Sequence, residues 1–354
     1  MRNTLIQALS HRLFWPLALL VILLTVNVIA VPGFLAITIN NEGHLFGSVI
    51  DILRNGAPTL IIAVGMTLVI ATRGIDLSVG SVCAIAGAVA CSIILGSPNP
   101  GDPGVVTVAV LTALALSLVV GLWNGFLVSV LGIQPIIATL ILMTAGRGIA
   151  MLITEGQILT VDSAPFKFLG SGFLARVPVA TVVAAAILGL VALLTRRTAL
   201  GLLIESVGIN PEASRQAGVR ARGLLFTVYA VCAVLAGIAG LILTSNQTAA
   251  DANNTGLFIE LDAILAVVIG GTALSGGRYS LTGTLVGALV IQTLVTTVYT
   301  VGIPPIATMV FKAAVVTAVC LLQSPTTSAA LARRRTAGPA SPRPVATPEP
   351  AVTR

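Results

Sequence analysis

VVTVAVLTALALSLVVGLWNGFLVSVL, residues 105–131, contains no charged side chain. About 20 mostly apolar residues are enough to cross the roughly 30 Å of bilayer hydrocarbon. Working outward from this stretch, the same criterion marks further runs near 14–31, 50–72, 77–96, 136–153, 179–195, 224–244, 259–275, 281–301 and 306–323. The whole chain of 354 residues is 56% hydrophobic and 9% charged, with a mean hydropathy of +1.05. Soluble domains carry about 25% charged residues. A chain this apolar cannot cover itself with polar surface in water. A soluble enzyme, a nucleic-acid binder and a disordered scaffold are thereby excluded as readings of the whole. The expectation is an all-α membrane protein of about ten transmembrane helices.

The charges orient those helices. With the N-terminus inside, Arg2, Arg12, Arg73, Arg196, Arg197, Arg215, Arg220, Arg222 and Arg278 fall on the cytoplasmic side, as does the Arg333–Arg335 cluster. The opposite loops keep Lys167 and Arg176 against Glu42, Asp102, Glu155, Asp162 and Asp251. That asymmetry follows the positive-inside rule and places both termini in the cytoplasm. The first run is too long for a signal-peptide core and has no small-x-small cleavage site, so it is expected to stay as a helix. Residues 1–323 are expected to form one transmembrane domain, and 324–354, rich in Pro, Ala, Thr and Arg, a disordered cytoplasmic tail. Its basic cluster is a stop-transfer flank or a contact for anionic lipid.

Cys83, Cys91, Cys232 and Cys320 sit in apolar runs without CxxC spacing, and the histidines are His11 and His44. Neither a disulfide framework, nor a metal site, nor a nucleophile–base pair can be assembled from them. Small residues recur at four-residue spacing, as in Gly121 with Gly125, Gly283 with Gly287, and Ala236 with Gly240. Such spacing lets helix backbones approach closely in lipid.

One inward loop is long: TRRTALGLLIESVGINPEASRQAGVRARG, residues 195–223. Asn210 as N-cap, Pro211 at the first helical position and Glu212 in the first turn start a short helix, and Gly218 stops it. The spacing predicts a helix over 211–217 at the inner membrane surface. It is an interfacial helix that tidies the loop, or a docking element for a cytoplasmic motor subunit. The chain has no phosphate-binding G-x-x-x-x-G-K-[ST] loop of its own, since the glycine-rich 271–277 segment lacks the lysine.

Four motifs narrow the choice: RGIDLSVGS at 73–81, TLILMTAGRGIAMLITEGQI at 139–158, ALGLLIESVGINPEASRQAGV at 199–219, and ELDAILAVVIGGTALSGGRYSLTGTLVGAL at 260–289. Together they resemble the permeases of ribose-type sugar ABC importers, over residues 14–323. LFGSVIDILRNGAP at 45–58 and ADANNTGLFIELDAI at 250–264 are most similar to the galactofuranose importer permeases. The resemblance implies the ten-helix fold of the ribose/branched-chain amino acid permease class. It also implies a second permease, different or identical, a cytoplasmic ATPase that uses ATP and Mg, and a periplasmic sugar-binding protein. No cofactor is expected on this chain itself. The implied location is a bacterial inner membrane. In the family the 196–222 loop carries the ATPase contact, which assigns Glu205, Gly208, Asn210, Pro211, Glu212 and Ala213 to coupling.

Ionisable and amide side chains inside a membrane are costly and usually face a cavity or a partner. The candidates for a substrate path are Asn55, Asp76, Asn124, Arg147, Glu260 and Asp262. The Asn55–Pro58 stretch is expected to interrupt the second span. Asp76 caps the third span or binds sugar, and Arg147 pairs with an acid or touches sugar. Glu260 and Asp262, two apart at the start of the eighth span, point to different sides; one greets a polar solute and the other anchors the helix. Asn55 and Asn124 are expected to reach a central passage. Aromatic residues make up 4% of the chain, which fits a low-affinity passage better than a stacked sugar site. A secondary transporter and a membrane enzyme are the competing classes; the first leaves the cytoplasmic helix unexplained and the second lacks a reactive constellation.

Overall fold

The computed structural model describes residues 13–39, 43–302, 304 and 307–323. The expected disordered tail and the Arg333–Arg335 cluster lie outside the described residues. Six helices are long and apolar enough to cross a bilayer. They are α2 (Ser48–Ala71), α4 (Pro103–Ser129), α5 (Pro135–Ile153), α7 (Val179–Arg197), α10 (Ala221–Gln247) and α12 (Leu281–Thr300). The other expected spans appear as shorter helices: α1 (Phe14–Ala30), α3 (Val79–Leu95), α11 (Ile259–Ile269) and α13 (Thr308–Gln323). The described part is therefore a helical membrane bundle in which six helices reach full spanning length and the other expected spans are shorter helices.

Helix α10 is the hub, packing on α4, α2 and α3, while α2 also packs on α12, α7 and α11. The small residues make this possible. A Cβ at Gly121 would lie 2.6 Å from the Ala233 Cβ, and one at Gly125 3.1 Å from the Phe226 Cα, so α4 lies backbone to backbone on α10. Gly240 backs onto Cys83 of α3, and Gly287 onto the Ala266 carbonyl of α11. In lipid, where burial of apolar surface drives little association, such packing holds helices together. Cys83, Cys91 and Cys232 are buried and unpaired, as small apolar side chains would be.

Two expectations change. Pro58 does not interrupt the second span: α2 runs unbroken through it. Proline removes one donor from a helix interior, but residues 56–71 are all buried, packed among neighbouring helices that keep the chain helical. The eighth span ends early. Gly270 lies against Gly283, and residues 271–280 turn through Gly271, Gly276 and Gly277, with φ of +86°, +76° and +88°. Those left-handed angles suit glycine and stop α11 at Ile269.

The loops sort to two ends. At one end β1 (Thr38–Ile39) pairs antiparallel with β2 (Leu45–Phe46), and β4 (Phe173–Leu174) with β5 (Val177–Pro178). There β3 (Leu159–Thr160) pairs with β6 (Ala249–Ala250), while Leu45 N–H donates to the Arg176 carbonyl at 3.0 Å. Next to β4 lies α6 (Ala164–Ser171). At the other end Gly277 N–H donates to the Ala71 carbonyl at 2.9 Å, and Arg73 donates to the Ile209 carbonyl.

Candidate functional site

After α2 the chain turns back into the bundle. Gly74 lies against the Tyr229 hydroxyl, and Asp76 lies beside Cys232, about mid-length on α10. Asp76 is fully buried, and its Oδ1 accepts from Ser78 N–H at 2.9 Å and from Ser78 Oγ at 2.6 Å. The side chain thus ties down Ser78, the residue before α3. Asn124, 1% exposed, donates from Nδ2 to Ser78 Oγ at 2.9 Å. Its amide serves this buried network rather than open space. Asn55 is exposed on α2, and its neighbour Arg54 donates to Asn246 Oδ1 at 2.6 Å.

A second buried group meets the first turn of α3. Residues 251–258 descend from β6 to α11, and Gly256 lies against Gly80 and Cys83. Asp251 opens this descent, accepting from Asn253 N–H at 2.9 Å and from Asn254 Nδ2 at 2.7 Å. The Asn254 amide holds the Asp251 carboxyl below its ordinary range. Arg147 reaches across from α5 and donates from one nitrogen, Nη1, to the carbonyls of Ala252 at 2.9 Å and Thr255 at 2.7 Å. The expected acid partner is replaced by backbone carbonyls, with Glu260 and Asp251 in the electrostatic surroundings. A turn of non-helical chain leaves carbonyls unused, and a guanidinium supplies several donors at once. Glu260 is 4% exposed, and its carboxylate lies directly against Gly80. Asp262 faces elsewhere: Lys312 of α13 donates to both its oxygens, at 2.7 and 2.9 Å. The two acids do point to different sides. Lys312 went unnoticed in the sequence because a lone lysine in an apolar run shows no partner fifty residues away.

The long loop forms two helices. Leu200–Ile209 is a helix, α8, where the sequence pattern predicts loop, and α9 (Pro211–Gln216) follows it. Asn210 caps α9, its Oδ1 accepting from Glu212 N–H at 3.1 Å and from Ala213 N–H at 3.0 Å. Glu212 pairs with Arg215 on the exposed face at 2.7 Å, while Ser214 faces inward. Gly208 backs onto the Ala71 carbonyl and Gly277, so α8 is seated on the ends of α2 and of the 271–280 turn. Glu205 lines a cleft with Thr195, Arg196 and Tyr279, and burial pushes the Tyr279 phenol up from its ordinary range. Ala213 and the exposed face of α9 point away from the bundle.

The family model described as "Branched-chain amino acid transport system / permease component" matches residues 48–320. The chain belongs to this permease family. It is 48% identical to the galactofuranose transporter permease protein YtfT of Escherichia coli K12, covering 89% of this chain and 92% of that protein. It is 45% identical to the fructose import permease protein FruF of Bifidobacterium longum, over 91% and 90%. Identity to the ribose import permease protein RbsC of Escherichia coli K12 is 37%, over 85% and 89%. No solved structure matches the permease.

Proposed function

We propose that this permease is the translocation subunit of an ATP-driven monosaccharide importer, with galactofuranose as its sugar. The observation that carries this reading is the 48% identity to the galactofuranose permease across nine-tenths of both chains. Fructose is the second reading, on the relative at 45%. The chain supplies the path, and a cytoplasmic ATPase holding ATP and Mg supplies the energy. A second permease subunit, identical or different, completes the pore, and a periplasmic binding protein delivers the sugar. The arginine-rich end faces the cytoplasm of a bacterial inner membrane, with both termini on that side.

Within this scheme α8 and α9 receive the ATPase through Glu205, Gly208, Asn210, Pro211, Glu212 and Ala213. A push there passes through Gly208 to the ends of α2 and the 271–280 turn, which leads back to α11. Asn55, exposed on α2, is proposed to offer its amide to passing hydroxyls. Asp76, Asn124, Arg147, Glu260 and Asp262 hold the helix starts that frame the path.

The test is ATP hydrolysis by the reconstituted complex with its binding protein loaded by galactofuranose, fructose or ribose in turn. Stimulation by galactofuranose above the other sugars is expected. Stimulation by fructose alone would move the assignment to the second reading, and no response to any sugar would overturn both.

A further inference from the structure

Helix α7 packs on α2 and α6 and leaves its side toward α12 open. A cavity of about 160 Å3 lies there, walled by Gly56, Leu60, Leu188 and Leu285 among other apolar groups. A second space of about 300 Å3 continues it along α7; the two share Ala185, Leu188 and Leu285, and the second ends at Arg196. Glu205 lies in the adjoining cleft beyond Arg196 and does not line the groove. The result is a largely apolar slot along α7 with a guanidinium at its mouth.

A sugar finds almost no hydrogen-bonding groups along such walls, whereas a methylene chain matches them. The mouth lies at the arginine-rich end: Arg197 follows Arg196 in sequence, and Arg278 precedes Tyr279, which lines the adjoining cleft with Arg196. Basic pockets between helices at this surface suit anionic headgroups. We propose that the groove between α7 and α12 holds one acyl chain of an anionic phospholipid whose phosphate rests on Arg196. The bound lipid fills the space α7 leaves open and so braces the helix that leads into α8.

The test uses the full chain in mild detergent with equal amounts of phosphatidylglycerol and phosphatidylethanolamine, with retained lipid measured by native mass spectrometry. A basic residue at an anionic headgroup is worth about fivefold in retention, so wild-type protein should keep phosphatidylglycerol over phosphatidylethanolamine by about that factor. Arg196→Gln should remove the preference while lipid is still carried. Ala185→Phe, which fills the groove, should lower retention of both lipids. If the phenylalanine variant does not fold, Arg196→Gln decides alone. Equal retention of the two lipids by wild-type protein, or an unchanged preference in Arg196→Gln, overturns the proposal.

Discussion

Arg147 makes both its hydrogen bonds to the 251–258 descent from a single nitrogen. An ammonium also offers several donors from one atom, so Arg147→Lys should keep much of the folded yield that Arg147→Ala loses. Breaking charge-assisted bonds at a half-buried site costs about 3 kcal/mol. Thermal denaturation of wild type and the two variants in detergent checks this, and an Arg147→Ala variant that melts with the wild type would remove Arg147 from the framework. The Asp262–Lys312 pair makes a different prediction, because both side chains are about one-fifth exposed. Lys312→Leu leaves a carboxylate unpaired and should destabilise by about 3 kcal/mol, whereas Asp262→Leu with Lys312→Leu should recover most of that loss. A double variant no more stable than the single one would contradict the pairing. The sequence leaves Asp76 as a cap of the third span or a sugar ligand, and the bonds it accepts from Ser78 N–H and Oγ are local ones of the first kind. It could not show that Asn124 joins that anchor, since their contact is between residues far apart in sequence.

At the scale of elements, the cap of α9 was legible because Asn-Pro-Glu is a local pattern, and the helix formed where that pattern placed it. Helix α8 was not legible, since its ten residues continue the apolar composition of the span before it. Asn210→Ala removes the acceptor for two N–H groups, at about 1 kcal/mol. Membrane insertion should therefore stay normal while ATPase recovered by pull-down falls; undiminished recovery would leave α9 as an interfacial helix without a docking role. The early end of α11 was written in the glycines at 270, 271, 276 and 277, yet hydropathy alone ran past them. Conversely, Pro58 promised a break that α2 does not show, its residues 56–71 being buried among neighbouring helices. A local breaker is overruled when neighbouring helices hold both halves in line.

For the whole molecule, composition made the membrane bundle plain, because no arrangement of so few charges could face water. The lengths of the separate helices were less legible: hydropathy registers apolar runs and not where a chain turns back into the bundle, as residues 72–78 do before α3. Orientation rests on the arginines. A membrane-impermeant thiol reagent on intact cells should label Asn99→Cys and spare Ala217→Cys in a background without native cysteines, and reversed labelling would invert the topology. The central claim is that energy enters from a separate ATPase through α8 and α9. Its most direct test is labelled-sugar uptake into proteoliposomes holding this permease with its partner subunits, with ATP present or absent and ion gradients intact or collapsed. The account predicts uptake that stops without ATP and continues when the gradients are collapsed. Uptake that persists without ATP and stops on collapsing the gradients would contradict it.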